Sequence, residues 1–423
     1  MARSRSRYWL SLVSLSFGGC AIWLLVYIRY VFYEQMIATL GCTNAQLGAL
    51  NTFGSMAGLF LPVFSGIIAD RFNTKYIIIL SLLANSCCSF VFAAFTTYPV
   101  AMVVWPCLTL STGLGYWGSL IKTINSLGKP EEAGRSFSIY YAIYGVLAAL
   151  INVVEIWAGT KYGFGAAVLV IGSMTTLAAI MDIFFLENPK KRVKTQEEIE
   201  AAKAGNRDTI KFKDLRFVLA WPGTYILGLG GFFAYMLYAN VSYFNPFLVD
   251  IIGIPEEYSS MLSVIRTYFL MLVCPVGGIL ADKVFHSTAK ALRLMGIVSA
   301  IILACVFLFK PGANVLLAAV YSLLPSLVIM PLYSINNSII RELHIHPMVL
   351  ASTVAVSGYF STPVDMCSPL VFGYWLDKYG DGGYTFIFLT LIGCAIGLIF
   401  TTTLAISHNK KCLAGKRKMV IKE

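Results

Sequence analysis

The feature that most constrains this chain is a series of uninterrupted apolar runs of about twenty residues, the length that crosses ~30 Å of hydrocarbon as an α-helix. Twelve such spans are read, numbered 1 to 12 in chain order, at 10–33, 45–69, 76–96, 100–126, 137–158, 165–186, 218–244, 258–281, 289–309, 313–340, 349–374 and 383–407. The runs are continuously apolar and do not alternate, which excludes an outer-membrane barrel built from strands of about ten alternating residues. A hydrophobic fraction of 58%, a charged fraction of 13% and a mean hydropathy of +0.74 over 423 residues agree with a polytopic helical membrane protein. The first run follows Arg3, Arg5 and Arg7 and lacks a small-residue exit site, so it is expected to be a true first span, not a cleaved leader.

The net charge of +11 is topological. Of the 32 lysines and arginines, 26 fall in alternate loops and the span ends beside them, together with both termini and the 30-residue middle connection, and only Lys161, Lys310 and Lys378 fall on the other side. The positive-inside rule then places both termini and the middle connection in the cytoplasm, and nucleic acid is not an expected partner. Arg29, Lys122 and Arg266 remain inside spans. Most of the ten cysteines sit within spans as small buried hydrophobes, and the four histidines lie at span ends without acidic or thiol partners. No metal and no cofactor is expected.

Six spans, a connection and six more spans point to an internal duplication. "SGIIADRF" (Ser65–Phe72) returns as "GGILADKV" (Gly277–Val284), 212 residues on, and "GTKYGFG" (Gly159–Gly165) returns as "LDKYGDGG" (Leu376–Gly383), 217 residues on. The expected organisation is a first six-helix bundle over 1–187, a cytoplasmic linker over 188–216, a second bundle over 217–408 and a basic tail over 409–423. Within the linker, Thr195 and Glu198 form a capping-box pattern and Gly205 a stop, which predicts a short surface helix.

The repeated Gly-x-x-x-Asp-Arg/Lys loop after spans 2 and 8 resembles the signature of the major facilitator superfamily. The first copy carries Gly66, Ala69, Asp70, Arg71 and Lys75, with Asn73 where a second glycine is usual; the second keeps Gly278, Ala281, Asp282 and Lys283. The resemblance covers the whole chain and implies an all-α membrane protein of twelve transmembrane helices in two pseudo-symmetric six-helix bundles. It also implies a rocker-switch carrier whose spans 1, 4, 7 and 10 line a central cavity. Physically, an aspartate at the end of one span can cap the next helix and pair with its neighbouring cation, which predicts a gating role for Asp70, Arg71, Asp282 and Lys283. Arg29 is also similar in placement to an arginine of the organophosphate–phosphate antiporters, although this chain lacks their second arginine on span 7. "YIRYVFYE" and "GYWGSLIKTINSLG" look closer to a poorly characterised bacterial branch.

Polar stripes identify the cavity candidates. Tyr235, Tyr238, Ser242 and Asn245 share one face of span 7, Tyr333, Asn337 and Arg341 one face of span 10, and Gly115, Ser119 and Lys122 one side of span 4. Arg266 lies about 24 Å above Asp282 at ~1.5 Å per residue, a depth similar to that of Arg29 in the other half. A guanidinium offers a planar fork for carboxylate, phosphate or sulfonate oxygens. Arg29, Arg266, Lys122, Tyr235, Tyr238 and Asn337 are therefore the expected substrate ligands, with Asp365 serving proton coupling or charge balance. Alternatives stay open: Arg29 and Lys122 snorkelling to the interfaces, and Arg266 paired with Asp365 across spans 8 and 11. The expected partners are a small anionic solute, protons if transport is coupled to them, and the lipid bilayer, with the chain acting as a monomer. Enzyme chemistry is not expected, because no span carries a histidine or a recognisable catalytic constellation. The alternative function is proton-coupled efflux of drugs or other amphipathic solutes.

Overall fold

The structure, a computed structural model, describes residues 5–58, 61, 64–65, 68, 72–127, 133–186, 212–346 and 349–416. Asp70 and Arg71, the expected helix at 195–205 and the end of the basic tail lie outside these residues. The described residues form helices and connecting turns, with no strand among them. The helices follow the twelve runs read from the sequence: Arg5–Leu24, Asn44–Gly58, Thr74–Ala94, Tyr98–Ile124, Ala133–Tyr162, Phe164–Phe185, then Pro222–Asp250, Glu256–Val284, Thr288–Leu308, Val315–Glu342, Leu350–Gly358 with Thr362–Tyr379, and Gly382–Leu413. Among the described residues, nine helices are long and apolar enough to cross a membrane. The other three spans are interrupted (1 and 11) or described only in part (2).

Several boundaries differ from the sequence reading, among them the end of span 7 at Asp250 and that of span 11 at Tyr379. Span 5 starts at Ala133, and span 12 runs on to Leu413, past the expected bundle limit at 408. The extra turn is amphipathic and ends where Gly415 takes φ +70, a conformation that closes a helix. A short helix at Phe212–Ala220 leads into span 7, and the Trp221 indole donates to the Leu343 carbonyl at 3.0 Å.

Polar side chains join the spans within each half. In the first, Ser14 donates to Asp182 at 2.5 Å, Asn85 to the Ile22 carbonyl at 3.1 Å and Ser86 to the Gly172 carbonyl at 3.0 Å. Such hydrogen bonds and small residues hold helices together where lipid removes the hydrophobic drive. Ser11 reaches the Phe185 carbonyl and Lys75 the Ile183 carbonyl, both at 2.8 Å, on the face that also carries the chain ends.

Helix breaks matter more than helix lengths here. Span 1 stops at Leu24 and continues as a 3-10 turn, Ile28–Tyr30, before a short helix at Tyr33–Leu40 on the face opposite the termini. The break falls in "VYIRYVF", a run of β-branched and aromatic residues with modest helix preference. Span 7 tightens to a 3-10 turn at Val241–Tyr243, just before Pro246. These two irregular turns face each other.

Candidate functional site

Two aromatic stacks meet between the halves. From span 1, Trp23 stacks on Tyr27 at 5.8 Å and Tyr27 on Tyr30 at 5.3 Å. From the second half, Tyr235 stacks on Tyr238 at 6.1 Å, and Tyr333 of span 10 lies on Tyr238 at 4.3 Å and 12°. The Tyr235 hydroxyl, near Tyr27, donates to Asp365 of span 11 at 2.7 Å. Exposure grows along the stacks: Tyr27, Tyr30, Tyr235, Tyr238 and Asp365 are half-buried, while Tyr333 and Asn337, nearer the terminal face, are exposed.

Arg29 closes the other end of this cleft. It is 3% exposed, with its Nη1 3.5 Å from the Tyr243 hydroxyl and its guanidinium over the Tyr30 and Tyr243 rings at 4.9 and 5.9 Å. Its Nε has no hydrogen-bond partner. Asp365 lies within its electrostatic reach. A buried guanidinium held by π-faces and one long hydrogen bond keeps donor capacity for a ligand.

The structure thus brings together Arg29, Tyr235, Tyr238 and Asp365. It does not bring Arg266 to them. Arg266 is fully buried, donates to the Ser322 carbonyl and hydroxyl at 3.2 Å each, and sits 5.6 Å from the Phe244 ring, leaving Nη1 without a partner. Tyr243 and Phe244 are neighbours in sequence, so the two arginines approach span 7 through consecutive residues. Pairing of Arg266 with Asp365 does not form, because Asp365 engages Tyr235 and the field of Arg29. Lys122 is half-buried near the terminal face, beside Thr123, which donates to Thr74 at the start of span 3. Asp282 and Lys283 are exposed at that same face. The helix beside them is capped by Ser287, which accepts from the Lys290 amide at 3.3 Å, and Glu342 accepts from Ser287 and from the Ala289 amide at 2.9 and 3.1 Å. Sequence reasoning missed Glu342, Tyr27, Tyr30 and Tyr243; the aromatic pair flanking Arg29 in "YIRY" was the available signal.

The face opposite the termini is shut by contacts between the halves. Asn245 donates to the Tyr30 and Val31 carbonyls at 3.2 and 3.0 Å, Ser260 to Val31 at 2.7 Å and Ser263 to Tyr30 at 2.5 Å. The Gln35 amide donates to Glu256 at 2.9 Å. Asp377, at the end of span 11, accepts from the Asn44 amide and side chain and from the Ala45 amide at 2.8 to 2.9 Å, capping the start of span 2. Glu34, in the short helix beyond span 1, is pushed up to about 8 by burial, then by Asp250 and Glu256.

An exposed apolar groove of about 550 Å³ lies elsewhere, between spans 3 and 4, lined by residues such as Tyr76, Leu80 and Leu114. It carries no charged group and suits lipid chains better than a polar ligand.

A family model described as Major Facilitator Superfamily matches residues 15–362. The chain is 24% identical over 391 residues to the inner membrane protein YihN of Escherichia coli (strain K12), covering 90% of this chain and 91% of that protein. It is 29% identical over 280 residues to the multidrug resistance protein MdtH of Photorhabdus laumondii, covering 65% and 64%. Among solved structures, a bacterial homolog of the human lysosomal transporter Spinster, inward-facing and unoccupied, superposes with a TM-score of 0.73 at 15% identity over 97% of this chain and 99% of that one. The nucleoside transporter NupG gives 0.65 at 16% over 94% and 98%. With its twelve spans and two-bundle fold, this chain belongs to the Major Facilitator Superfamily and is a multi-pass membrane transporter, not an enzyme.

Proposed function

We propose that this transporter moves a small organic anion, such as a sugar acid, another carboxylate or a phosphorylated or sulfonated metabolite, across the cytoplasmic membrane by alternating access. The observation that carries the proposal is Arg29: a guanidinium 3% exposed, with an unpartnered Nε, at the closed end of an aromatic-walled cleft. An anion there completes a charge balance that Asp365 supplies only at a distance, and a cation left uncompensated in the membrane costs several kcal/mol. Tyr27, Tyr30, Tyr235 and Tyr238 offer π-faces and hydroxyls to the rest of the solute. Asp365 balances Arg29 when the cleft is empty and is the carboxyl to exchange a proton when the anion arrives. Arg266 of span 8, which packs on Phe244 one residue beyond Tyr243, adds positive potential without touching the cleft. Asn337 and Lys122 lie on the route from the terminal face.

On charge distribution the terminal face is cytoplasmic, and closure of the other face fits a state open to the cytoplasm, with Asp70, Arg71, Asp282 and Lys283 as the gate that shuts it in turn. The aromatic walls around Asp365 favour a second reading, efflux of amphipathic cations, through cation–π contacts; the relatives named multidrug resistance protein point the same way.

Proteoliposomes separate the two. Uptake of labelled glucuronate, glucose 6-phosphate and isethionate, and of the cationic dye ethidium, is compared for wild type, Arg29→Lys, Arg29→Gln and Asp365→Asn. Loss of a bidentate charge-assisted contact predicts at least a tenfold fall in anion transport for Arg29→Gln, with partial retention in Arg29→Lys. Normal anion transport by Arg29→Gln would sink the anion reading. Dye transport that depends on Asp365 and ignores Arg29 would establish the second.

A further inference from the structure

The carbonyls of Tyr30 and Val31 lie at the break in span 1, directly after Arg29, and both accept side-chain hydrogen bonds from the other half. The three donors are buried: Asn245 is 3% exposed, Ser260 1% and Ser263 0%. Asn245 is itself oriented, since Ser259 donates to its backbone carbonyl at 2.9 Å and to its side-chain oxygen, which turns the amide NH2 toward span 1. Arg29, by contrast, is held weakly through its own side chain, by one 3.5 Å contact and two rings. Its position is therefore set by the backbone turn, and the turn is set by the second half.

We infer that Asn245, Ser260 and Ser263 are positioning residues for Arg29, gripping the broken turn of span 1 so that the guanidinium is presented to the cleft only while the face opposite the termini is shut. The inference rests on the reading of Arg29 as the anion ligand. When that face opens, the donors withdraw with the second half. The freed carbonyls then turn to water or to amide groups further along their own chain, because buried carbonyls do not stay unpaired. Either change remodels the 3-10 turn and takes Arg29 off Tyr243. Opening the gate and loosening the anion become one event, and by linkage anion binding tightens the gate. The donors are neutral hydroxyls and an amide, so the grip itself does not depend on a protonation state.

The test uses the full-length carrier in a background lacking native cysteines, with Gln35→Cys reporting the seam and, separately, Arg29→Cys reporting the turn. Each is labelled with a membrane-impermeant maleimide from the face opposite the termini. Ser260→Ala and Ser263→Ala each remove one donor, and about 1 kcal/mol per hydrogen bond corresponds to about fivefold faster labelling at both reporters. Ser263→Thr keeps the donor, restores the slow rate and controls for misfolding. Unchanged labelling in both alanine variants overturns the inference. Faster labelling at Gln35→Cys with an unchanged rate at Arg29→Cys also overturns it, since the seam would then open without moving the turn. If both reporters respond while Arg29→Gln transports anions like wild type, the grip stands and the anion reading alone fails.

Discussion

Arg29 and Arg266 look alike in the sequence and differ in what surrounds them. Arg29 meets tyrosine hydroxyls and rings contributed by both halves, whereas Arg266 is enclosed by Ser322 and Phe244 of its own half. A buried cation satisfied only in part by neutral groups does little for stability, and apolar replacements of similar volume are often neutral or stabilising by about 1–4 kcal/mol. Arg266→Met is therefore expected to hold or raise the thermal unfolding temperature in detergent, while Arg266→Lys, which concentrates the charge, lowers it. Tyr235→Phe should cost stability, because it leaves the Asp365 carboxyl without its hydroxyl donor; about 1–3 kcal/mol is the expected loss in the same measurement. That Arg29 mattered was legible, since a guanidinium inside an apolar run demands an explanation. Its partner Tyr243 was not, because the contact spans 214 residues of chain.

At the level of elements, spans 2 and 11 cross with their backbones almost touching. A Cβ on Gly48 would sit 2.2 Å from the Pro369 carbonyl oxygen, and one on Gly373 would sit 2.2 Å from that of Asn44. Asp377 caps span 2 one turn beyond this crossing. Gly48→Ala or Gly373→Ala is expected to push the two spans apart at a cost of about 1–3 kcal/mol in the closed state. Faster maleimide labelling of Gln35→Cys from the face opposite the termini would register it; unchanged labelling would mean that the crossing does not hold that face shut. The twelve spans and most of their limits could be read from the apolar runs. The break in span 1 could not, because the donors that take up its carbonyls come from spans 7 and 8.

For the whole molecule, the face opposite the termini is expected to respond to pH through Glu34. Glu34 is raised to about 8, so closure around it is favoured while it is protonated and fades as pH rises toward 8, where it ionises beside Asp250 and Glu256. Spin labels on Thr39→Cys and Glu257→Cys, one in each half, should show their short-distance population falling as pH rises from 4.5 to about 8. Glu34→Gln should remove that loss, and a pH-independent distance would refute the assignment.

The sequence by itself determined a twelve-span membrane protein made of two related halves, because crossing hydrocarbon needs long apolar helices and duplication leaves echoes at a fixed offset. It also marked Arg29, Asp365 and the tyrosines of span 7, because polar groups in such helices are costly and stand out. Only the tertiary structure decided that Arg29 joins Asp365 and the aromatic cleft while Arg266 stays within the second half. It alone decided that a broken turn of span 1 is held by an asparagine and serines 214 to 233 residues away. Those outcomes depend on side-chain direction and on hydrogen bonds between distant helices, and neither leaves a periodic trace in the chain.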